Sequence, residues 1–452
     1  MFERVLIANR GEIAVRVIRT LRELGIEAVA VYSTADRDSL HTRLADRAVC
    51  IGPPPAAESY LSIPAIVGAA ETTGCDAIHP GYGFLAENPA FVRACAENDL
   101  VFVGPDADVM ERMGDKVRAK EEMDAAGVPV VPGTSGLGSA RDARAAAGEI
   151  GYPVLLKAAA GGGGKGMRLV QTADELDGAF DTASYEALAA FGDGSVYLEK
   201  AVVPARHVEI QVLADGEGDV LTLGERECSI QRRHQKLVEE SPSPALTAEM
   251  REEMEVAAER ACRAVGYRNA GTFEFLVGAD GSFYFIELNT RLQVEHPVTE
   301  LVTGIDLVRE QLRIASGERL SATGRAGRGG HAIEVRLNAE DPARGFAPSP
   351  GRITRFRPPL GPFDRLDTHI EEGTEVPPHY DSLLAKLIVW DVDRPGAIAR
   401  CSRALGELEI SGVATTRELA IDILRSDAFV SGEYSTAFLT EVEDSLPAMV
   451  AT

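Results

Sequence analysis

Paired cysteines are missing from this chain. Its six cysteines (Cys50, Cys75, Cys95, Cys228, Cys262 and Cys401) are scattered over 452 residues, and no two form a C-x-x-C pair. Neither a disulfide framework nor a structural zinc site is expected, and a chain of this length can bury a core without one. Long apolar runs are also missing. No window reaches 18 uninterrupted apolar residues, and charge and turn residues interrupt Met1 to Asn9 at once. No membrane span and no secretory leader are expected. Excess positive charge is absent too: 46 Lys+Arg stand against 70 Asp+Glu, a net charge of −24. A dedicated nucleic-acid binder needs a basic face, so that class is excluded. With 44 Gly and 24 Pro the chain is neither fibrous nor low-complexity, and its 45% hydrophobic and 26% charged residues are ordinary for a globular protein. The expectation is a reduced, cytoplasmic protein. At roughly 150 residues per domain the length suggests about three domains. The acidity reflects either a salty habitat or solubility.

The first segment alternates strand and helix. Arg4-Val5-Leu6-Ile7-Ala8 reads as a buried parallel strand, and Ile13, Ala14, Val17, Ile18 and Leu21 recur at helical spacing. Gly25 ends that helix, and Ala28-Val29-Ala30-Val31 is the next strand. The βαβ unit sets an α/β class. Its first turn carries one glycine, Gly11, where a dinucleotide fingerprint wants G-x-G-x-x-G. His79-Pro80-Gly81-Tyr82-Gly83-Phe84 is either a tight loop at a strand end or a ligand loop at the sheet's C-terminal edge. Pro129-Val130-Val131-Pro132 reads as an extended linker, and a boundary near 115–130 follows from the change of pattern there.

Two segments carry chemistry. The strand Tyr152-Pro153-Val154-Leu155-Leu156-Lys157 runs through three alanines into Gly161-Gly162-Gly163-Gly164-Lys165-Gly166, and Met167-Arg168-Leu169-Val170 is a second strand. Successive glycines let backbone N–H groups approach an anion, so the segment reads as a hairpin flap over phosphates. It is not a P-loop: Ala159 stands where the first Gly should be and Gly166 where Ser or Thr should be. The second is a hairpin about Asp280-Gly281. Its strands are 272–277 and 282–295, and Glu274 falls opposite Glu287. A slip of two residues would leave the pair diagonal. If the second strand stays extended, Glu287, Asn289, Arg291, Gln293 and Glu295 share one face, with Tyr284, Ile286 and Leu288 on the other. Two opposed carboxylates repel, and oxygen ligands so held suit Mg²⁺.

Gln231-Arg232-Arg233-His234-Gln235-Lys236 is the densest cationic stretch, either a surface patch or targeting signal, or an anion pocket. His207 and Gln211 lie upstream on one face of the strand 206–212.

Taken together these segments resemble the ATP-grasp superfamily and, within it, the biotin carboxylases that serve as subunits of bacterial acyl-CoA carboxylases. The likeness runs from Ile7-Ala8-Asn9-Arg10-Gly11-Glu12-Ile13-Ala14 to Pro377-Pro378-His379-Tyr380-Asp381-Ser382. Its most specific motifs are 162–167, 226–236 and 287–296. The resemblance implies an α/β ATP-grasp fold: an N-terminal parallel-sheet (pre-ATP-grasp) domain over 1–115, an ATP-grasp domain over 116–330 with a mobile lid at about 130–202, and a C-terminal α+β domain over 331–446. It implies ATP phosphate contacts at Lys116 and Lys157 beneath the flap, with Gly162, Gly163, Gly164, Lys165 and Gly166 in that flap. Glu199, Lys200 and Val202 fall at the adenine, and His207, Gln231 and His234 are further nucleotide contacts. Glu274, Glu287 and Asn289 match the Mg²⁺ (or Mn²⁺) ligands, and Lys236, Arg291, Gln293 and the backbone N–H of Val294 the bicarbonate pocket. Glu295 matches the general base and Arg336 the stabiliser of the biotin enolate, with Tyr82 near the biotin. Lys165 stands where relatives often carry Arg.

The expected reaction is carboxylation of biotin on a carrier protein through carboxyphosphate, the first half-reaction of an acetyl-CoA or acyl-CoA carboxylase of fatty acid biosynthesis. No Met-Lys-Met tripeptide occurs, so the biotinyl carrier, like the carboxyltransferase, is expected on another chain. Arg16, Arg19 and Glu23 match a surface the family uses to form a homodimer; the bland alternative is a solvated helix face. Two rivals stand beside this expectation: a different ATP-grasp ligase joining a carboxylate to an amine, and a nucleotide-binding regulator without catalysis.

Overall fold

The computed structural model describes residues 1–134, 136–158, 167–233, 235–442 and 446–449. The opening βαβ pattern becomes β1 (Arg4–Ile7), α1 (Gly11–Glu23) and β2 (Glu27–Ser33), followed by β3 (Arg47–Gly52), β4 (Ala77–His79) and β5 (Val101–Phe102). All pair in parallel in the order β3-β2-β1-β4-β5. Val5, Leu6, Ile7, Val29 and Val31 are wholly buried, as expected of a sheet covered on both faces.

Helix α2 (Lys116–Ala125) starts under the Asp115 side chain, which accepts from the N–H groups of Val117 and Arg118. It leads into a small lid in which α3 (Ala140–Ile150) and α4 (Leu176–Phe191) back a three-stranded sheet, β7-β6-β8. Its strands are β6 (Val154–Ala158), β7 (Arg168–Val170) and β8 (Val196–Lys200). The antiparallel β6–β7 pair brings Leu156 opposite Arg168, so the glycine segment joins two hairpin strands. The flap residues Gly161 to Gly166, Lys165 among them, lie outside the described residues, as does His234.

The largest sheet holds nine strands. Seven are β9 (Ala205–Ala214), β10 (Val220–Arg232), β11 (Gln235–Ser241), β12 (Asn269–Gly278), β13 (Phe283–Asn289), β14 (His331–Asn338) and β15 (Asp364–Thr368). With β16 (Leu383–Asp391) they run in the order β13-β12-β9-β10-β11-β14-β16-β15, and the two-residue strand Gly324–Arg325 pairs with β10. One face of β9, β12 and β13 packs on α5 (Ala248–Val265) through Val208, Ile210, Phe273, Phe275, Phe285 and Leu288. Because β11 pairs with β14, the sheet runs unbroken across position 330 into the C-terminal third.

Two sequence expectations are corrected. The segment 129–132 is extended, but it is pinned: Val130 bridges to Phe285, and the Phe285 N–H donates to Pro129 O at 2.7 Å. The hairpin register holds at Thr272–Asn289, Phe273–Leu288 and Glu274–Glu287, then shifts by one so that Phe275 meets Phe285. The bulge at Ile286 reverses the alternation. Phe285 enters the core in place of Tyr284 and Ile286, which are only half-buried, while Leu288 stays inside.

Candidate active site

The polar face of the nine-stranded sheet begins with period two. His207, Glu209 and Gln211 alternate along β9 with the core residues Val208, Ile210 and Val212. Glu209 lies between Arg226 on β10 and Glu274 on β12 in the strand pairing. Lys236, just after the β10–β11 turn, reaches back over this face. Its Nζ donates to Glu209 Oε2 at 2.6 Å, Glu274 Oε1 at 2.9 Å and Glu295 Oε1 at 2.6 Å. Burial works against the charged amine, but Cys228 and the three carboxylates outweigh it and hold Lys236 well above its ordinary value.

The segment after β13 does not stay extended. The strand ends at Asn289, and Glu87 accepts from the Thr290 N–H at 3.1 Å and from Arg291 Nε at 2.8 Å. The chain then turns into α6 (His296–Thr303), with Glu295 as the residue before its first turn and Pro297 at its start. The residues expected on one strand face nevertheless converge. Gln293 Nε2 donates to Glu274 Oε1 at 2.7 Å, and Asn289 Nδ2 donates to the same oxygen at 2.9 Å. Glu295 Oε2 accepts from Arg336 Nη2 at 2.8 Å, and Arg336 Nε donates to Glu239 Oε1 at 2.6 Å. Burial opposes ionisation of Glu295, but Lys236, Arg336 and Arg226 hold it far below the ordinary carboxylate range. Glu239 is pushed up to about 7, chiefly by burial.

Glu287 faces Glu274 across β12–β13 and is the more open of the two; Lys116 Nζ stands 3.7 Å from its Oε2. Burial and the Glu274 charge push its carboxyl up. A divalent cation would relieve that repulsion, and two carboxylates with an amide oxygen from Asn289 are the hard donors Mg²⁺ takes. The donor types fit such an ion, which would take Asn289 Oδ1 from the Arg291 Nη2 that donates to it at 3.0 Å. A cavity of about 210 Å³ opens beside them, lined by Glu87, Met110, Lys116, Glu287 and Asn289 among others. His207 Nε2 lies 2.8 Å from Glu274 Oε2, and that carboxylate outweighs burial to hold the imidazole above its usual value.

On the lid side, Lys157 of β6 and Lys120 of α2 both pair with Glu199 of β8. The Lys200 ammonium turns away from the site: it donates to Gly151 O at 2.8 Å and Tyr152 O at 3.0 Å, fastening the strand entry of the lid. Val202 is half-buried in the segment leading to β9, and Gln231 pairs with Lys236 in the β10–β11 ladder. From the N-terminal domain, the Tyr82 hydroxyl donates to Glu12. Glu12 also meets Lys386 at 3.1 Å, and the buried Lys386 ammonium donates to Val294 O at 2.8 Å. Arg16 is not on a solvated helix face: it is buried against Glu300 and Asp306 at 2.9 and 2.8 Å, whereas Arg19 and Glu23 are exposed.

Sequence reasoning missed Glu209, Arg226, Glu239, Glu87, Lys120 and Lys386. A signal existed for the first: it sits at period two between His207 and Gln211. Lys120 follows Lys116 by four residues in one helix and Arg226 opens the motif 226–236; Glu239, Glu87 and Lys386 are joined to the site across strands or domains.

Three family profiles match the chain. "Biotin carboxylase, N-terminal domain" covers 1–110, "Carbamoyl-phosphate synthase L chain, ATP binding domain" covers 115–323, and "Biotin carboxylase C-terminal domain" covers 334–441. A biotin carboxylase of Nostoc sp. is 53% identical over 98% of this chain and 99% of its own length. The crystallised biotin carboxylase subunit of a pyruvate carboxylase superposes with a TM-score of 0.88 at 49% identity, covering 99% of each chain. The biotin carboxylase domain dimer of Hydrogenobacter thermophilus 2-oxoglutarate carboxylase, crystallised with MgADP, ADP and bicarbonate, superposes with a TM-score of 0.91 at 50% identity, covering 98% of each chain.

A lid bearing lysines, set against a large antiparallel sheet bearing carboxylates, defines an ATP-grasp ligase. These relatives narrow that class. The chain belongs to the biotin carboxylase family, whose reaction is the ATP-dependent carboxylation of biotin, the first half-reaction of the biotin-dependent carboxylases. A carboxylate–amine ligase and a non-catalytic regulator are both set aside by that membership. No helix among the described residues is long and apolar enough to cross a membrane.

Proposed function

We propose that this chain binds ATP between its lid and the carboxylate face of the large sheet, and uses it to activate bicarbonate for transfer to biotin on a separate carrier protein. Lys116 and Lys157 meet the phosphates, and the flap with Gly162, Gly163, Gly164, Lys165 and Gly166 closes over them to keep water from carboxyphosphate. Glu199, Val202 and the backbone of Lys200 border the adenine, and His207, Gln231 and His234 complete the nucleotide site. Glu274, Glu287 and Asn289 would hold Mg²⁺ or Mn²⁺, which when bound spreads the charge of the transferring phosphoryl group.

Bicarbonate lies against Lys236, Arg291, Gln293 and the Val294 N–H. The Arg291 guanidinium, which donates to Glu87 at 2.8 Å, to Asn289 Oδ1 at 3.0 Å and to Leu292 O at 3.3 Å, would turn two parallel donors to bicarbonate in their place, a match to a carboxylate that lysine cannot make. Glu295 is ionised and takes the bicarbonate hydroxyl proton as that oxygen attacks the γ-phosphorus, releasing ADP. Carboxyphosphate then breaks to CO₂ and phosphate. The phosphate takes the N1′ proton of biotin, Arg336 stabilises the enolate oxygen as it forms, and N1′ bonds to CO₂. Tyr82 borders the biotin side.

The observation that carries this reading is the Lys236 ammonium shared by Glu209, Glu274 and Glu295, with Arg336 on the far side of Glu295. It alternates fixed cations with fixed bases where an anion must be both held and deprotonated. Bicarbonate-dependent ATP hydrolysis, raised by free biotin, tests it. Arg291→Lys and Glu295→Gln retain ATP binding and lose that hydrolysis; near-normal turnover in either removes the residue from the mechanism.

The functional unit in this proposal is a cytoplasmic homodimer, with the carrier and the carboxyltransferase on other chains. Its parts are an N-terminal domain over 1–115, an ATP-grasp domain over 116–330 with the lid at about 130–202, and a C-terminal domain over 331–446. Relatives from carboxylases named for pyruvate and for 2-oxoglutarate are 49% and 50% identical to this chain. Choice of the final acceptor therefore belongs to the carboxyltransferase.

A further inference from the structure

The resemblance assigns nothing to position 120, yet the structure puts a cation there. Lys120 lies one turn after Lys116 on α2, so both project from the same side of that helix. Its ammonium pairs with Glu199, the carboxylate that also pairs with Lys157. It also stands 5.5 Å from the centre of the Tyr197 ring. Two lysines thus share one acid whose side chain is only 5% exposed, and Lys116, itself 3.7 Å from Glu287, lies nearby. A structural ion pair needs one lysine for one glutamate; the second is surplus. Burial and the neighbouring lysines push both Lys120 and Lys157 down to about 8. Partly buried lysines crowded together are costly through desolvation and mutual repulsion unless an anion completes them.

We propose that Lys120 is a third cation of the nucleotide phosphate site, with Glu199 its resident counter-ion until the phosphates of ATP replace that carboxylate. The proposal rests on the nucleotide reading above. ATP would contribute several phosphate oxygens where Glu199 offers two carboxylate oxygens. On binding, Lys157 and Lys120 each exchange a shared carboxylate for phosphate.

Calorimetric titration of the full chain with ATP and with adenosine tests this. Lys120→Met weakens ATP binding about tenfold, the order expected for one charged hydrogen bond, and leaves adenosine binding within about twofold. Lys120→Arg restores ATP affinity. An equal loss for adenosine and ATP overturns the assignment, since Lys120 would then act only by steadying Glu199 at the adenine. Unchanged ATP affinity in Lys120→Met overturns it as well. Lys157→Met separates this from failure of the underlying reading: full ATP affinity in that variant would sink the nucleotide site itself.

Discussion

Replacing Arg226 with methionine isolates the group that ties the bicarbonate side of the site to the sheet. Arg226 is wholly buried, and its guanidinium donates to Glu209, to Gln293 Oε1 at 2.7 Å, to Gln211 Oε1 at 2.8 Å, to Thr299 Oγ1 at 3.0 Å and to Thr272 Oγ1 at 3.2 Å. Methionine fills much of the same volume, so the cavity term is small and the loss is electrostatic. Removing one partner of a buried ion pair costs about 3–5 kcal/mol. Lys236 still neutralises Glu209, which places the expectation near the lower end, about 3 kcal/mol. At roughly 2–4 °C per kcal/mol for a domain of about 200 residues, the midpoint falls by about 6–12 °C. Scanning calorimetry without nucleotide is the assay, because bound ATP would raise the midpoint by mass action. The kinetic companion is the KM for bicarbonate. Gln293 donates to Glu274 through its NH₂ only while Arg226 holds its carbonyl, so the variant's bicarbonate KM rises more than its ATP KM. A midpoint within about 2 °C of the parent, together with an unchanged bicarbonate KM, would refute the reasoning.

Glu87 reaches Arg291 and Thr290 from the N-terminal domain; Glu87→Gln removes the charged acceptor and raises the bicarbonate KM about tenfold with ATP KM nearly unchanged, and equal shifts in both would count against it. Burial disfavours ionised Glu300, but Arg16 and Arg365 bring its carboxyl from 4.5 down to about 2. Its folded-state value is depressed, so the stabilisation, about 3 kcal/mol, is present above pH 4.5 and drains away as pH falls toward 2. The midpoints of Glu300→Gln and the parent therefore differ at pH 7 and approach each other in acid; parallel curves would exclude the pair as their source.

Much of the site could be read along the chain because its spacing is short-range. The Asp280-Gly281 turn and alternating side chains place Glu274 opposite Glu287, and the structure keeps that pairing. The alternation fails at Ile286, where the Val130 bridge and the packing of Phe285 against Phe273 and Phe275 impose a bulge. No local pattern around 283–288 announces it, because the cause lies about 150 residues upstream in 129–130. The extended run expected to 295 also ended early, since the carboxylate that captures the Thr290 N–H belongs to Glu87.

Residue type and period determined which side chains could do chemistry: a carboxylate hairpin, a basic turn, a glycine segment between two strands. Tertiary structure decided which charges neutralise which. Lys236 among three acids, Arg226 inside the sheet, and Lys386 linking Glu12 to Val294 are pairings between distant segments. Coulomb energy and desolvation depend on separation and burial in space, and neither quantity exists along a linear chain.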